Sequence, residues 1–236
     1  MAQLFPKFTN TLARVTPPAL VLGLGALAWG WHAALFSPYA TNAAAPVAQP
    51  VPFSHQHHVA GLGIDCRYCH TSVETSAFAG IPPTETCMTC HSQIWRDAPV
   101  LQPVRDSWTS GARLHWTRVN DLPDYVYFNH SIHVNKGVAC VSCHGRVDRM
   151  PLMQKAHTLY MRWCLDCHLA PEGRLRPPGE VFAMKDEPGV GPRASALELR
   201  GERDGERIPV FERGFQALRE GTVRRTRLED CSICHR

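Results

Sequence analysis

The chain has 236 residues, with 25 Lys and Arg against 21 Asp and Glu, a formal charge of +4. It shows no concentrated basic face interleaved with aromatics, which excludes a nucleic-acid role. It is 44% hydrophobic but only 8% aromatic, with 19 Pro, 17 Gly and 13 His. That balance argues against a large sheet or helix bundle and for a loop-rich polypeptide folded around something other than its own side chains.

No charged residue lies between Arg14 and Asp65. Within that gap Ala19 to Phe36 is almost continuous in apolar residues and Gly, bracketed by Pro17-Pro18 and Pro38. A helix of about 20 residues spans the hydrocarbon of a bilayer, so the segment predicts a transmembrane helix at 18–37. Proline is tolerated at its start, where the first N–H groups are unpaired anyway. Lys7 and Arg14 precede it and no Lys or Arg follows until Arg67, which puts the N-terminus in the cytoplasm and the rest outside. Trp29 and Trp31 fall near the outer end, where an aromatic belt sits, and His32 beside them reads as an interfacial histidine. A signal peptide cleaved near Ala43-Ala44-Ala45 is the competing reading, but the apolar run exceeds a usual signal core. Residues 1–38 therefore read as an uncleaved membrane anchor, and 39–52, rich in Ala and Pro, as an extended linker.

A repeat begins at residue 53. Phe53-Ser54-His55-Gln56-His57-His58-Val59 leads to Cys66-Arg67-Tyr68-Cys69-His70 and, after a loop, to Cys87-Met88-Thr89-Cys90-His91. Phe128-Asn129-His130-Ser131-Ile132-His133-Val134 leads to Cys140-Val141-Ser142-Cys143-His144 and then to Cys164-Leu165-Asp166-Cys167-His168. A last copy, Cys231-Ser232-Ile233-Cys234-His235, closes the chain. Cys-x-x-Cys-His is the signature of covalent c-type haem attachment: each thiol forms a thioether to a vinyl group, and the histidine falls under the iron. The five copies use all ten cysteines. Zinc ribbons would not need a histidine after every second cysteine, and a disulfide scaffold would not repeat one spacing. The fold class is thus a multihaem c-type cytochrome with little regular structure, short helices and loops wrapped around five haems, plus one N-terminal transmembrane helix. Residues 53–170 form a duplicated two-haem module carrying four haems, and 171–236 an extended arm carrying the fifth.

The proximal iron ligands are His70, His91, His144, His168 and His235. Phe-x-His-x-x-His puts two further imidazoles on one side of a turn, so His55, His58, His130 and His133 are candidate distal ligands. His57 would point elsewhere on a helix, and His115 lacks a repeat counterpart. The fifth distal position is left to Met150, Met153, Met161 or His157; a thioether there would raise the potential of one haem. Trp95, Trp108 and Trp116 in the spacer read as haem-packing residues. In the arm, Pro, Gly, Arg and Glu dominate, with Arg174 and Arg176 early and Arg224, Arg225 and Arg227 late. Residues 210–219 predict a short helix with Phe211, Phe215 and Leu218 on one face, to pack on a partner or wrap the haem domain. No carboxylate pair and no flavin or nicotinamide fingerprint points to independent catalysis, so the chain reads as a wire.

Phe53-Ser54-His55 with His58-Val59, Gly80-Ile81-Pro82-Pro83, Cys87-Met88, Leu122-Pro123-Asp124 with Phe128-Asn129-His130, Cys143-His144-Gly145, Met150 and Met161-Arg162-Trp163-Cys164 resemble the pentahaem cytochrome c subunit of bacterial alternative complex III. The Phe-x-His-x-x-His and haem-motif order is shared with cytochrome c7-like proteins. The resemblance covers residues 50–170, the anchor and the terminal motif, and is weak over 171–228. It implies a subunit of a quinol:electron-acceptor oxidoreductase in the inner (cytoplasmic) membrane, single-pass, with its haem domain facing the periplasm. Iron–sulfur and integral membrane subunits would be its partners, and a monohaem cytochrome c or a terminal oxidase its acceptor. It also matches Met150 and Met161, and not His157, as the fifth distal ligand. Two other readings remain: a stand-alone membrane-anchored quinol dehydrogenase feeding a periplasmic reductase, and a multihaem enzyme with one open haem. The mature protein is expected to exceed its polypeptide mass by five haems, and replacing both cysteines of one motif by alanine to remove one of them. A smaller excess in the intact protein, read by mass spectrometry, ends the five-haem reading.

Overall fold

The structure, a computed structural model, describes residues 5–169, 171–185, 228 and 230–235. The chain divides into two compact units, Met1–Ala45 and Pro46–Arg236. No β-strand occurs among the described residues, which form one long helix and then short helices joined by loops, as the composition predicts.

The first unit contains α1 (Phe8–Leu35, 28 residues), none of whose residues is buried, and the short α2 (Pro38–Thr41). Among the described residues α1 is the one helix long and apolar enough to cross a membrane. It starts well before the apolar run, so Pro17 and Pro18 lie inside it rather than at its start. A proline offers no N–H to the carbonyl four residues back, which leaves the Ala13 and Arg14 carbonyls without their helical donors. The apolar run therefore delimits the part of α1 suited to hydrocarbon, not the helix itself.

The second unit has a small apolar core. Val51, Leu101 and Val104 are buried together, with Cys87, Met88, Ala98, Leu114 and Trp116 packed against them. Apart from Val51, in the extended segment ahead of the first repeat, they come from α4 (Thr84–His91), α5 (Gln102–Ser110) and their flanks. Pro103 opens the first turn of α5, and Gly111 ends it in the left-handed region (φ 72°), donating to Ser107 O at 2.9 Å. The second half of the predicted linker is extended but tied down. Val47 N–H donates to Met153 O (3.1 Å), the Gln49 amide exchanges two hydrogen bonds with the Thr117 main chain (2.8 and 2.9 Å), and Val51 is buried. Only Val, Leu, Ala and Met supply the buried apolar side chains among the described residues; no aromatic is among them. Among the described residues this core is small for a unit of this size.

The two repeat copies differ by one residue: from the second histidine to the motif, His58 to Cys66 is one step longer than His133 to Cys140. Where the second copy forms an ordinary turn, α6 (His130–Asn135), the first widens into a π-type turn, Gln56–Gly61. Both then close alike, Ile64 N–H on His58 O (3.1 Å) and Val138 N–H on His133 O (2.9 Å). The extra residue is absorbed upstream of the motif, and the histidines keep their places.

The described start of the arm packs along residues 137–140. Leu175 bridges to Val138, Arg176 N–H donates to Gly137 O (2.8 Å), and Cys140 N–H donates to Val181 O (3.1 Å), with Val181 buried. The helix predicted at 210–219 and the late arginines lie outside the described residues. After α7 (Cys140–His144) the chain turns at Gly145, whose φ of 67° and ψ of −163° belong to a region essentially reserved for glycine. A Cβ there would lie 2.7 Å from the Ala156 Cβ. Gly145→Ala is expected to cost about 1–3 kcal/mol. An unchanged thermal midpoint of the haem-loaded variant would remove this backbone requirement.

Candidate haem centres

Every Cys-x-x-Cys-His motif forms a helical turn: α3 (Cys66–Cys69), α4, α7, α8 (Met161–His168) and α9 (Cys231–Cys234). One turn brings cysteines three apart to a common face and carries the histidine past them. Asp65 and Asp230 cap the first and fifth turns, accepting from Arg67 N–H (2.8 Å) and Ser232 N–H (2.9 Å). Burial raises the thiols of Cys66, Cys69, Cys87 and Cys164, and pushes Cys140 up to about 12. These sites disfavour thiolates; a thioether, being uncharged, pays no such penalty. No two cysteines are joined by a disulfide, and among the described residues no three His, Cys, Asp or Glu side chains gather to hold a metal.

Histidines come together in pairs instead. Ring centres lie 6.2 Å apart for His58 and His91, 6.4 Å for His130 and His144, and 6.1 Å for His133 and His168. The His130 and His144 planes are 5° from parallel. With about 2.0 Å from metal to imidazole nitrogen and about 1.1 Å from nitrogen to ring centre, two imidazoles facing across one metal have centres about 6.2 Å apart. The spacing fits an iron between each pair. His55 is close enough to His70 for a charge on one to disfavour a charge on the other. Each of these three ring pairs joins one repeat histidine to one motif histidine, and in both halves the second repeat histidine meets the farther motif.

Seven of the outer ring nitrogens are tied to main-chain carbonyls, while the Nδ1 of His55 is buried with no hydrogen-bond partner. Nδ1 of His70 donates to Gly80 O (2.7 Å), His91 to Ile94 O (3.0 Å), His168 to Leu228 O (2.8 Å) and His235 to Tyr125 O (3.2 Å). His58 donates to Ser54 O (2.9 Å), His130 to Ala77 O (2.9 Å) and His133 to Asn129 O (2.8 Å). A carbonyl only accepts, so each Nδ1 carries the proton and each Nε2 keeps its lone pair for a metal. Burial also lowers His55 and His144 to about 4, and lowers His133, which holds these rings in the neutral form a ligand needs.

The repeat phenylalanine, given no role from sequence, sets both distal rings. Phe53 stacks on His58 (4.4 Å, 28°) and meets His55 edge-on (4.9 Å, 90°); Phe128 does the same to His133 (4.5 Å, 28°) and His130 (4.7 Å, 89°).

Other candidates fall elsewhere. His57 is exposed and stacks on exposed Trp95; His115 is exposed, and His32 lies against Phe36. His157 stacks on Trp163. Trp116 packs on the small core rather than beside a histidine pair, and Trp108 is half exposed. Met150 is buried beside Gly145, next to the third motif, whereas Met161 opens α8 and is 65% exposed. Tyr125 is the ring beside His235 (5.8 Å).

The motifs touch out of sequence order. Tyr68 and Thr89 hydroxyls link the first and second (2.9 Å). First and third meet where His130 and Ser131 N–H groups reach Ala77 and Ser76 carbonyls (both 3.1 Å), and the Cys66 thiol lies near that of Cys140. Third and fourth share α6. Fourth and fifth meet through His168 and Leu228, and through the neighbouring Cys164 and Cys234 thiols.

Over half its length the chain is similar to a multihaem cytochrome. It is 35% identical over 125 residues to the multihaem cytochrome c subunit of menaquinone reductase from Nitratidesulfovibrio vulgaris (strain Hildenborough), covering 52% of this chain and 56% of that protein. The chain thus spans little more than half the length of this curated relative, and no family model matches it. The likeness, the motifs and the paired imidazoles all point to c-type haem. Phe128→Ala is expected to shift two low-spin EPR signals of the loaded protein, those of the His130 and His133 sites, and leave the others in place. Five unshifted signals would remove the phenylalanine from this role.

Proposed function

We propose that the chain is the electron-relay subunit of a membrane quinone oxidoreductase, holding five covalent haems. The observation that carries this reading is the set of imidazole pairs at 6.1–6.4 Å, each joining a repeat histidine to a motif histidine. His55 and His70, His58 and His91, His130 and His144, and His133 and His168 each hold one iron, with the cysteine pair of the motif gripping the porphyrin. His235 takes a methionine opposite it. Met161 is better placed than Met150, because α8 also carries Cys164, the neighbour of Cys234 in the fifth motif. When bound, the haems supply one-electron chemistry, at potentials that differ between bis-imidazole and imidazole–thioether sites.

The residues line the sites up in the order second, first, third, fourth, fifth motif. The second and fifth stand at the two ends, where electrons enter and leave. In this reading α1 anchors the chain in the inner membrane and, with Lys7 and Arg14 on the cytoplasmic side, leaves the haem unit in the periplasm. Iron–sulfur and integral membrane subunits handle the quinol, and a monohaem cytochrome c or terminal oxidase takes the electrons, as in alternative complex III. The named relative favours a second reading, in which electrons run the other way and reduce menaquinone.

Membranes containing the complex, given a menaquinol analogue, are expected to reduce the haems of this chain; the purified chain given the same quinol is not. Quinol oxidation by the chain alone would establish the stand-alone dehydrogenase, and a high-spin EPR signal that moves with nitrite would establish an open catalytic haem. Turnover only from reduced haem to added menaquinone would establish the reverse direction. At the sites, His58→Met and His133→Met are each expected to raise the potential of one haem, a different one in each variant, while His57→Ala moves none. Potentiometric titration decides it: a potential shifted by His57→Ala, or none shifted by the methionine variants, breaks the ligand assignment.

A further inference from the structure

Every proximal histidine but one ties its Nδ1 to a main-chain carbonyl. His144 is the exception: its Nδ1 faces the side-chain amide of Asn120 at 3.1 Å. The amide nitrogen is drawn toward the ring, while the Asn120 Oδ1 is buried with no hydrogen-bond partner. Amide oxygen and nitrogen have nearly the same shape, so their assignment follows from the hydrogen-bond pattern. With Nδ2 donating to Nδ1, the ring proton would have to sit on Nε2, and that nitrogen could not bind iron. Turning the amide over brings Oδ1 to an Nδ1–H and frees Nε2, and it moves Nδ2 to the buried position where Oδ1 has no hydrogen-bond partner.

We propose that Asn120 is the positioning residue of the third haem site, its Oδ1 accepting the Nδ1–H of His144 and setting the electron donation of that imidazole to iron. The inference rests on the haem reading above. Main-chain carbonyls at the other sites are much the same acceptor wherever they occur, and no side-chain substitution removes them. At the third site the acceptor belongs to a side chain, so a single residue determines its strength. The outer-shell acceptor raises the basicity of a metal-bound imidazole, and a more basic ligand favours ferric iron. The site it adjusts is the middle one of the five, between the first and fourth motifs. His144 is partly buried there, with His130 opposite it and His70 and His55 close by.

The test is a redox titration with EPR on haem-loaded Asn120→Leu and Asn120→Asp. Leucine removes the acceptor and is expected to raise the potential of one haem, the same one that His130→Met raises. Aspartate keeps an acceptor oxygen in the same place and is expected not to raise it. If the leucine chain loads fewer than five haems, Asn120→Ala takes its place. Five bound haems with every potential unmoved by loss of the amide would overturn the proposal, and so would an aspartate variant that raises the potential as leucine does, since packing alone would then explain both. A haem count below five in the unsubstituted protein would instead sink the haem reading itself.

Discussion

The second unit depends on how its imidazoles are held. A histidine that binds metal through Nε2 needs its proton on Nδ1 and its ring fixed in angle. Seven rings meet the first need through main-chain carbonyls, and four receive the second from Phe53 and Phe128. Neither device brings in a charge, which suits sites buried deeply enough to keep His55 and His144 neutral. The carbonyls come from turns, loops and helix starts, and those of Ser54 and Ala77 accept a main-chain N–H as well as the ring. A loop-rich chain is therefore the form that supplies them.

The same constraint accounts for the small core. Among the described residues only a few Val, Leu, Ala and Met side chains are buried, and aromatic rings such as Tyr68, Phe78 and Trp95 stand exposed beside the motifs. Porphyrins bound at the paired histidines would cover apolar surface that the side chains leave open, and thioethers would cross-link distant turns. The extra residue in the first repeat copy makes the same point locally. The chain gives up regular helix geometry at Gln56–Gly61 and keeps the histidines and the closing hydrogen bond of the turn in place.

Duplication also explains how neighbouring motifs are tied together. Each Phe-x-His-x-x-His turn presents two rings to two different motifs and so ties neighbouring sites together. The two modules are joined where the loop after the first motif receives the His130 ring and main-chain N–H groups. One carbonyl, that of Ala77, therefore accepts from both the His130 main chain and its ring, joining the two copies and orienting that imidazole.

The motif histidines, the paired cysteines and the repeat histidines were legible in the sequence, because thioether attachment and a helical turn each impose a short, fixed spacing. The apolar run was legible for the same reason: hydrocarbon thickness sets a length. The start of α1 was not, because proline within a helix costs two hydrogen bonds without ending it when the residues on either side remain helical. The pairing of His58 with His91 and of His133 with His168 was decided only by the tertiary structure, since those rings meet across loops whose path no local spacing encodes. The Nδ1 acceptors were equally hidden, because a main-chain carbonyl belongs to every residue and leaves no mark in the sequence. Asn120 could have left one, yet a single asparagine in a loop becomes informative only once a buried imidazole is found against it.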